Sequence, residues 1–374
     1  MGARDCIDEN AGISYRPLSA ALSVGGTEME IAKLFDLVSK EGASDLIVSA
    51  GAPPVLRVNG QLLRTKGDPL TPEQAKKLIY GTLDADQKKK FEEMRELDFS
   101  LAAGRKHRFR VNVYYQKESV TAAFRPIPEE IPKWEDLGLP DFVETLPEVR
   151  QGLVLVTGPT GHGKTTTQAA IIDMINDKRA CHIITVEDPI EYVHFHKRSI
   201  VDQREVGSDT HSFLDALKYV LRQDPDVILI GEMRDLETIQ AALRAAETGH
   251  LVLATLHTND AIQTVDRVVD VFPEGSQQQV RFQLSMVLTA ILSQRLLPRA
   301  DEEGRVMAVE LLMNTPAIAN MIREGKTHQV LSILETSSKD GMITMDKSIK
   351  ELYLEGLISY DEARVHMRNP KELK

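Results

Sequence analysis

Residues 151–176 read QGLVLVTGPTGHGKTTTQAAIIDMIN, and this stretch decides the fold of the larger part of the chain. An apolar run, LVLVT, leads into a glycine-rich turn, and a helical run leads out of it. Gly158 to Thr165 match the pattern G-x-x-x-x-G-K-[ST], a phosphate-binding loop. Glycines let successive backbone N–H groups turn inward around phosphate oxygens. Lys164 brings a positive charge to the β- and γ-phosphates, and Thr165 offers a hydroxyl to Mg²⁺. The helix that follows points its N-terminus at the same place. The candidate nucleotide contacts are Gly158, Pro159, Thr160, Gly161, His162, Gly163, Lys164, Thr165 and Thr166. The expected ligands are ATP or ADP with Mg²⁺. His162 fills a variable position, where the loop works through its backbone.

Working outward, QGLVLVTG, CHIITVED, DVILIGE and HLVLATLH are short apolar runs separated by helical stretches. They do not alternate with polar residues, which is how parallel strands covered on both faces read. Residues 145–374 are therefore expected to form an α/β domain with a mainly parallel sheet and a mostly helical last hundred residues. Upstream, PIPEEIPKWEDLGLP is proline-rich and predicts a linker, placed at 136–144. Residues 29–135 mix both periodicities and predict a small α+β domain. Asn59-Gly60 between VLRV and QLLR signals a hairpin. Thr71 with Gln74 makes a capping box, with Pro72 in the first helical turn. RFRVNVYY alternates as a strand does. Residues 1–28 are expected to be a loose, disordered extension.

Composition removes several function classes. The 374 residues suffice for two or three domains. Acidic residues number 56 and basic residues 45, a formal charge of −11, which opposes a protein built to grip nucleic acid. The two cysteines, Cys6 and Cys181, form no Cys-x-x-Cys pair, so neither a disulfide framework nor a cysteine zinc site is expected. No apolar run approaches the ~20 residues that span a bilayer. PLSAALSV at 17–24 is short and follows acidic residues, which argues against a secretory leader.

Three further segments carry chemistry. DVILIGEMRD ends an apolar strand in Gly231-Glu232, and a carboxylate there can polarise water or hold Mg²⁺. ITVEDPIEY places Glu187, Asp188 and Glu191 after another strand, where Pro189 stops the strand and turns the acids outward. TGHLVLATLHTND sets His250 before a strand and His257 at its end. Ligands of open α/β sheets gather at the carboxyl ends of strands, which places His257 at the same strand edge as the other candidates, to sense the γ-phosphate or a neighbouring subunit. His194 and His196 lack a third metal ligand and read as surface residues.

These four segments, in this order, resemble the secretion and pilus superfamily of hexameric ATPases. GPTGHGKTTT is similar to its Walker A, ITVEDPIEY to its Asp box, ILIGEMRD to its Walker B and GHLVLATLHT to its His box. The resemblance extends over about residues 29–365 and is strongest with the twitching-motility, or retraction, branch of type IV pilus ATPases. It implies a PAS-like N-terminal α+β domain, a RecA-like C-terminal P-loop ATPase domain with C-terminal helices, and a homohexamer. It implies ATP hydrolysis that drives pilus retraction, with Glu232 as the catalytic carboxylate and Mg²⁺ held through the nucleotide by Thr165 and Glu232. Glu187, Asp188 and Glu191 would support Mg²⁺ and water. Arg108, Arg110 and Arg125, in RFRVN and FRPIP, would reach the phosphates, and His250 and His257 belong to the His box. The implied partners are an inner-membrane pilus platform protein and a related pilus ATPase, with no nucleic acid. The implied location is cytoplasmic, peripheral to the inner membrane at the pilus base.

One departure stands out. The retraction branch carries Ala-Ile-Arg-Asn-Leu near its C-terminus. This chain has Ala317, Ile318 and Asn320, but Ala319 replaces the arginine and Met321 the leucine. An accessory retraction ATPase therefore stays open as an alternative. A pilus-assembly or type II secretion ATPase is disfavoured, because those usually carry a longer N-terminal region and a four-cysteine zinc insert. Outside the superfamily, a RecA-like DNA-dependent ATPase is opposed by the charge. A nucleotide-binding scaffold without turnover is opposed by Glu232 and the intact Asp box.

Overall fold

A computed structural model describes residues 30–58, 60–103, 107–128, 130–337, 339 and 341–373, together with a short antiparallel pair, β1 (Cys6–Ile7) and β2 (Ser14–Tyr15). The expected loose extension over residues 1–28 lies almost wholly outside the described residues. The chain divides into two compact units, residues 1–129 and 130–374.

The first unit begins with helix α1 (Ile31–Lys40) and strands β3 (Asp45–Val48), β4 (Val55–Val58) and β5 (Gln61–Arg64). Two helices follow, α2 (Pro72–Tyr80) and α3 (Ala85–Met94), then β6 (Glu96–Ala103), β7 (His107–Gln116) and β8 (Ser119–Ile127). The strands make one antiparallel sheet in the order β5-β4-β3-β8-β7-β6. Val58 pairs with Gln61, so the expected hairpin forms, although Asn59 itself lies outside the described residues. The Thr71–Gln74 capping box is present, and Asp84 with Gln87 makes a second one on α3. Alternation in β7 buries Phe109, Val111 and Val113 under the helices, where Phe35 packs 4.2 Å from Phe109 between ring centroids. The other face of the sheet carries Asp45, Arg57, Arg110 and Arg125.

The second unit opens with two short 3₁₀ turns, Trp134–Leu137 and Asp141–Glu148. This differs from the expected linker. Leu139, Val143 and Leu146 are buried against Val154 and Ile171 of the second unit's own core. Apolar spacing inside a proline-rich stretch outweighed its composition.

Strand β9 (Gly152–Thr157) and helix α4 (Lys164–Lys178) flank the phosphate loop. Next come β10 (His182–Glu187), β11 (Ile200–Glu205), α5 (Phe213–Val220), β12 (Val227–Ile230), α6 (Leu236–Glu247) and β13 (Leu251–Leu256). Helices α7 (Ala261–Asp270) and α8 (Glu274–Val287) lead to β14 (Leu288–Pro298) and β15 (Arg305–Met313). The chain ends in α9 (Pro316–Glu324), α10 (Val330–Thr336), α11 (Met345–Leu354) and α12 (Tyr360–His366).

The sheet order is β11-β10-β12-β13-β9-β14-β15. Every neighbouring pair is parallel except β14–β15. Its faces are covered by separate apolar clusters. Leu153 and Leu155 of β9 enter one and Val154 the other, which is why these strands show no polar alternation.

The expectation of a mostly helical last hundred residues is only partly met. LTAILSQRLLP and RVMAVELLM form the antiparallel pair β14–β15, because apolar runs of this length do not separate buried helix from buried strand by periodicity. The altered segment at Ala317–Met321 is helical, within α9, with Ile318 and Ile322 buried.

Candidate active site

Gly158 follows β9 directly, with φ at 144°, and a Cβ there would lie 2.3 Å from the Gln294 carbonyl oxygen. Only glycine fits that approach. β14 and β15 hold the loop from the far side. Gln294 Nε2 donates to the His162 carbonyl at 2.6 Å, and the Leu296 N–H donates to His162 Nδ1 at 3.0 Å. Arg305 donates to the Gly161 carbonyl at 3.1 Å. His162 Nδ1 is thus an acceptor, and the ring is neutral. Burial lowers its pKa, and the charges of Arg305, Arg295, Lys164 and His366 lower it further. The imidazole braces the loop.

Lys164 opens α4 and is buried. Its Nζ donates to the carbonyls of Gly158 at 2.8 Å and Pro159 at 3.0 Å, and faces His257 Nδ1 at 3.3 Å. Burial lowers its pKa, opposed by the charges of Glu232 and Glu191. His257 follows β13, one strand away from β9. Its Nδ1 is also 3.3 Å from Thr160 Oγ1, and its Nε2 is 2.9 Å from Glu232 Oε1. This network assigns the Nε2–H tautomer, with Nδ1 accepting from the ammonium and Nε2 donating to the carboxylate. Arg234 Nε reaches the same Glu232 oxygen at 2.8 Å. Burial pushes the Glu232 pKa up, but the hydrogen bond and charge of Arg234, with the hydrogen bond from His257, outweigh it. The carboxyl sits below its ordinary range and is ionised at neutral pH.

Gly231 brings the Asp box alongside. A Cβ at Gly231 would meet the Val186 carbonyl at 3.2 Å and Glu187 Cα at 3.3 Å, so β12 and β10 close tightly at this end. Glu187 is buried and accepts from Thr185 Oγ1 at 2.6 Å and Gln203 Nε2 at 3.2 Å. Burial pushes its pKa up to about 7, despite those hydrogen bonds. Asp188 acts on Arg234 through its charge, and Glu191 acts on both Lys164 and Glu187. Thr166 Oγ1 is 3.0 Å from the Tyr192 hydroxyl. Thr165 is half-buried in the first turn of α4.

Two expectations need correction. His250 does not join this cluster. It precedes β13 at the opposite edge of the sheet, about 20 Å from His257 along six strand residues. There its Nδ1 is 2.9 Å from the Ala245 carbonyl and closes the end of α6. His194 is not a surface residue. It is buried, its Nδ1 has no hydrogen-bond partner, and burial lowers its pKa to about 4. His196 is exposed.

The three candidate arginines belong to the first unit. On one face of its sheet, Arg57 pairs with Asp45, Arg125 binds Asp45 at 3.0 Å, Arg110 stands opposite Arg125, and Ser100 opposite Arg110. Arg108 donates to Ser100 Oγ at 3.3 Å. Three guanidiniums thus share one row with a single carboxylate, and a fourth adjoins it. Such a row suits an anion.

Arg234, Gln294 and Arg305 were missed in the sequence. Arg234 had a signal, being two residues from Glu232. Gln294 and Arg305 had none, since they reach the loop only because β14 pairs with β9.

A nucleotide phosphate fits this arrangement. The Lys164 ammonium is buried with only carbonyls and an imidazole as hydrogen-bond acceptors, and the loop is built on a glycine that no side chain could replace. Among the described residues no group of three or more His, Cys, Asp or Glu could hold a metal ion.

Comparison with known proteins agrees. Residues 134–364 match the family model described as type II/IV secretion system protein. The chain is 48% identical to the type IV pilus retraction ATPase PilT of Pseudomonas aeruginosa over 92% of its length and 99% of that protein's. It is 43% identical to the type IV pilus ATPase PilU of the same organism, covering 92% and 91%. A crystal structure of the pilus retraction motor PilT with bound ADP superposes with a TM-score of 0.87 at 51% identity, covering 92% of this chain and 99% of that one. The chain belongs to the type II/IV secretion system protein family, among its pilus ATPases.

Proposed function

We propose that this protein is an ATP-hydrolysing hexameric motor that drives type IV pilus retraction. The observation that carries the reading is the line Lys164–His257–Glu232 at the mouth of the phosphate loop, in a chain alike to PilT over nearly its whole length. Thr165 and Glu232 would hold Mg²⁺ through the nucleotide, where the ion would supply positive charge to the γ-phosphate. Glu232, ionised and aimed from the end of β12, polarises the attacking water. His257 orients that carboxylate and couples it to the Lys164 ammonium. Arg110 and Arg125, with Arg108, supply positive charge to the phosphates of an adjacent subunit. The ring works on a pilus platform protein at the cytoplasmic face of the inner membrane, and among the described residues no helix is long and apolar enough to cross a membrane.

The test pairs phosphate release by the purified chain with pili and twitching in a deletion strain. Hyperpiliated, immotile cells support retraction, and bald cells overturn it. Ala319 and Met321 favour a second reading, an accessory retraction ATPase related to PilU. That reading predicts that the deletion strain keeps twitching but weakens under load.

A further inference from the structure

His257 is followed by a short turn whose far end is held by the C-terminus of the chain. Thr258 Oγ1 lies 2.6 Å from Thr264 Oγ1, which fastens the turn to α7. Asp260 caps α7 by accepting the Gln263 N–H at 2.8 Å. The next residue, Ala261, donates its N–H to Glu310 Oε1 at 2.8 Å, and Glu310 Oε2 accepts the Met345 N–H of α11 at 3.3 Å. Asp260 and Glu310 are both buried, at 4% and 2% exposed. The two carboxylates repel each other, and both feel one cation, Arg368. Arg368 is ion-paired with Asp260, and its charge also acts on Glu310. The Asp346 carboxylate in turn accepts the Arg368 and Asn369 N–H groups, each at 2.8 Å, and fixes the turn after α12.

Burying two carboxylates is costly unless a cation or hydrogen bonds compensate them. Arg368 supplies that cation from a segment more than a hundred residues beyond the site. We infer that Arg368 is a positioning residue for ATP hydrolysis. By pairing with Asp260 and offsetting part of the charge at Glu310 it sets the start of α7, and through the turn 257–260 it sets the reach of His257 to Glu232. The C-terminal helices α11 and α12 are thereby tied to turnover rather than merely appended to the ATPase fold. The inference rests on the ATPase reading above.

The experiment uses the full chain. Arg368→Gln should lower kcat by roughly ten- to a hundredfold, the scale of a misplaced catalytic group, while affinity for a fluorescent ADP analogue stays near the parent's. Arg368→Lys should recover most of the rate. Adding Glu310→Gln to Arg368→Gln should recover part of it, because one uncompensated carboxylate is removed. A parental kcat in Arg368→Gln overturns the inference, and so does a loss of kcat matched by an equal loss of nucleotide affinity. If Arg368→Gln does not fold, Asp346→Ala leaves the buried charges in place and should show the same split more mildly. Parental kcat in Asp346→Ala would then overturn it. A parent chain without ATPase activity would instead remove the functional reading itself.

Discussion

His257 Nε2 lies 2.9 Å from Glu232 Oε1, while its Nδ1 faces the Lys164 ammonium at 3.3 Å. One neutral imidazole therefore links the cation of the phosphate loop to the carboxylate of the neighbouring strand. The arrangement requires that β9, β12 and β13 lie together, and the parallel register of the sheet supplies that.

Lys164→Ala removes the main side-chain cation for the phosphates. Affinity for a non-hydrolysable ATP analogue should fall by roughly ten- to a hundredfold, the worth of charge-assisted hydrogen bonds. Isothermal titration checks it, and parental affinity would refute the loop assignment.

Glu232→Gln keeps the shape of the site and loses the charge that polarises water. Turnover should fall by about 10²- to 10⁴-fold with nucleotide binding intact. A variant with near-parental phosphate release would move the role to the Asp box.

Arg110 and Arg125 stand opposite each other across β7 and β8, with Arg125 ion-paired to Asp45. If they serve a neighbouring subunit, activity per chain should fall on dilution below the assembly concentration. Mixing an Arg110→Ala, Arg125→Ala chain with a Glu232→Gln chain should restore part of the activity, because some interfaces join an intact site to intact arginines. Mixed rings that stay inactive would count against action between subunits.

His194 is buried and neutral, with its pKa lowered from 6.5 to about 4. The unfolded chain takes up this proton near pH 6.5 and the folded chain does not until about pH 4. Stability therefore falls as pH drops through that window, by up to about 3 kcal/mol. His194→Leu should flatten the decline. Urea midpoints between pH 7 and pH 4.5 decide it, and parallel profiles for parent and variant would defeat the assignment.

Much of this protein could be read along the chain. The phosphate loop, the parallel strands and the placement of Glu232 and His257 at strand ends follow from local patterns, because glycine spacing and unbroken apolar runs each have few structural solutions. Tertiary structure decided what depended on pairing. β14 and β15 look like helix until β9 offers β14 an edge, and with them come Gln294 and Arg305 as supports of the loop. His250 and His257 look alike in sequence, separated by one strand, yet a strand of six residues carries them to opposite edges of the sheet. His194 reads as polar surface until the tertiary fold buries it. Arg368 carries no signal at all in the sequence, since its charge matters only where folding places two buried carboxylates, and nothing local to Arg368 encodes either of them.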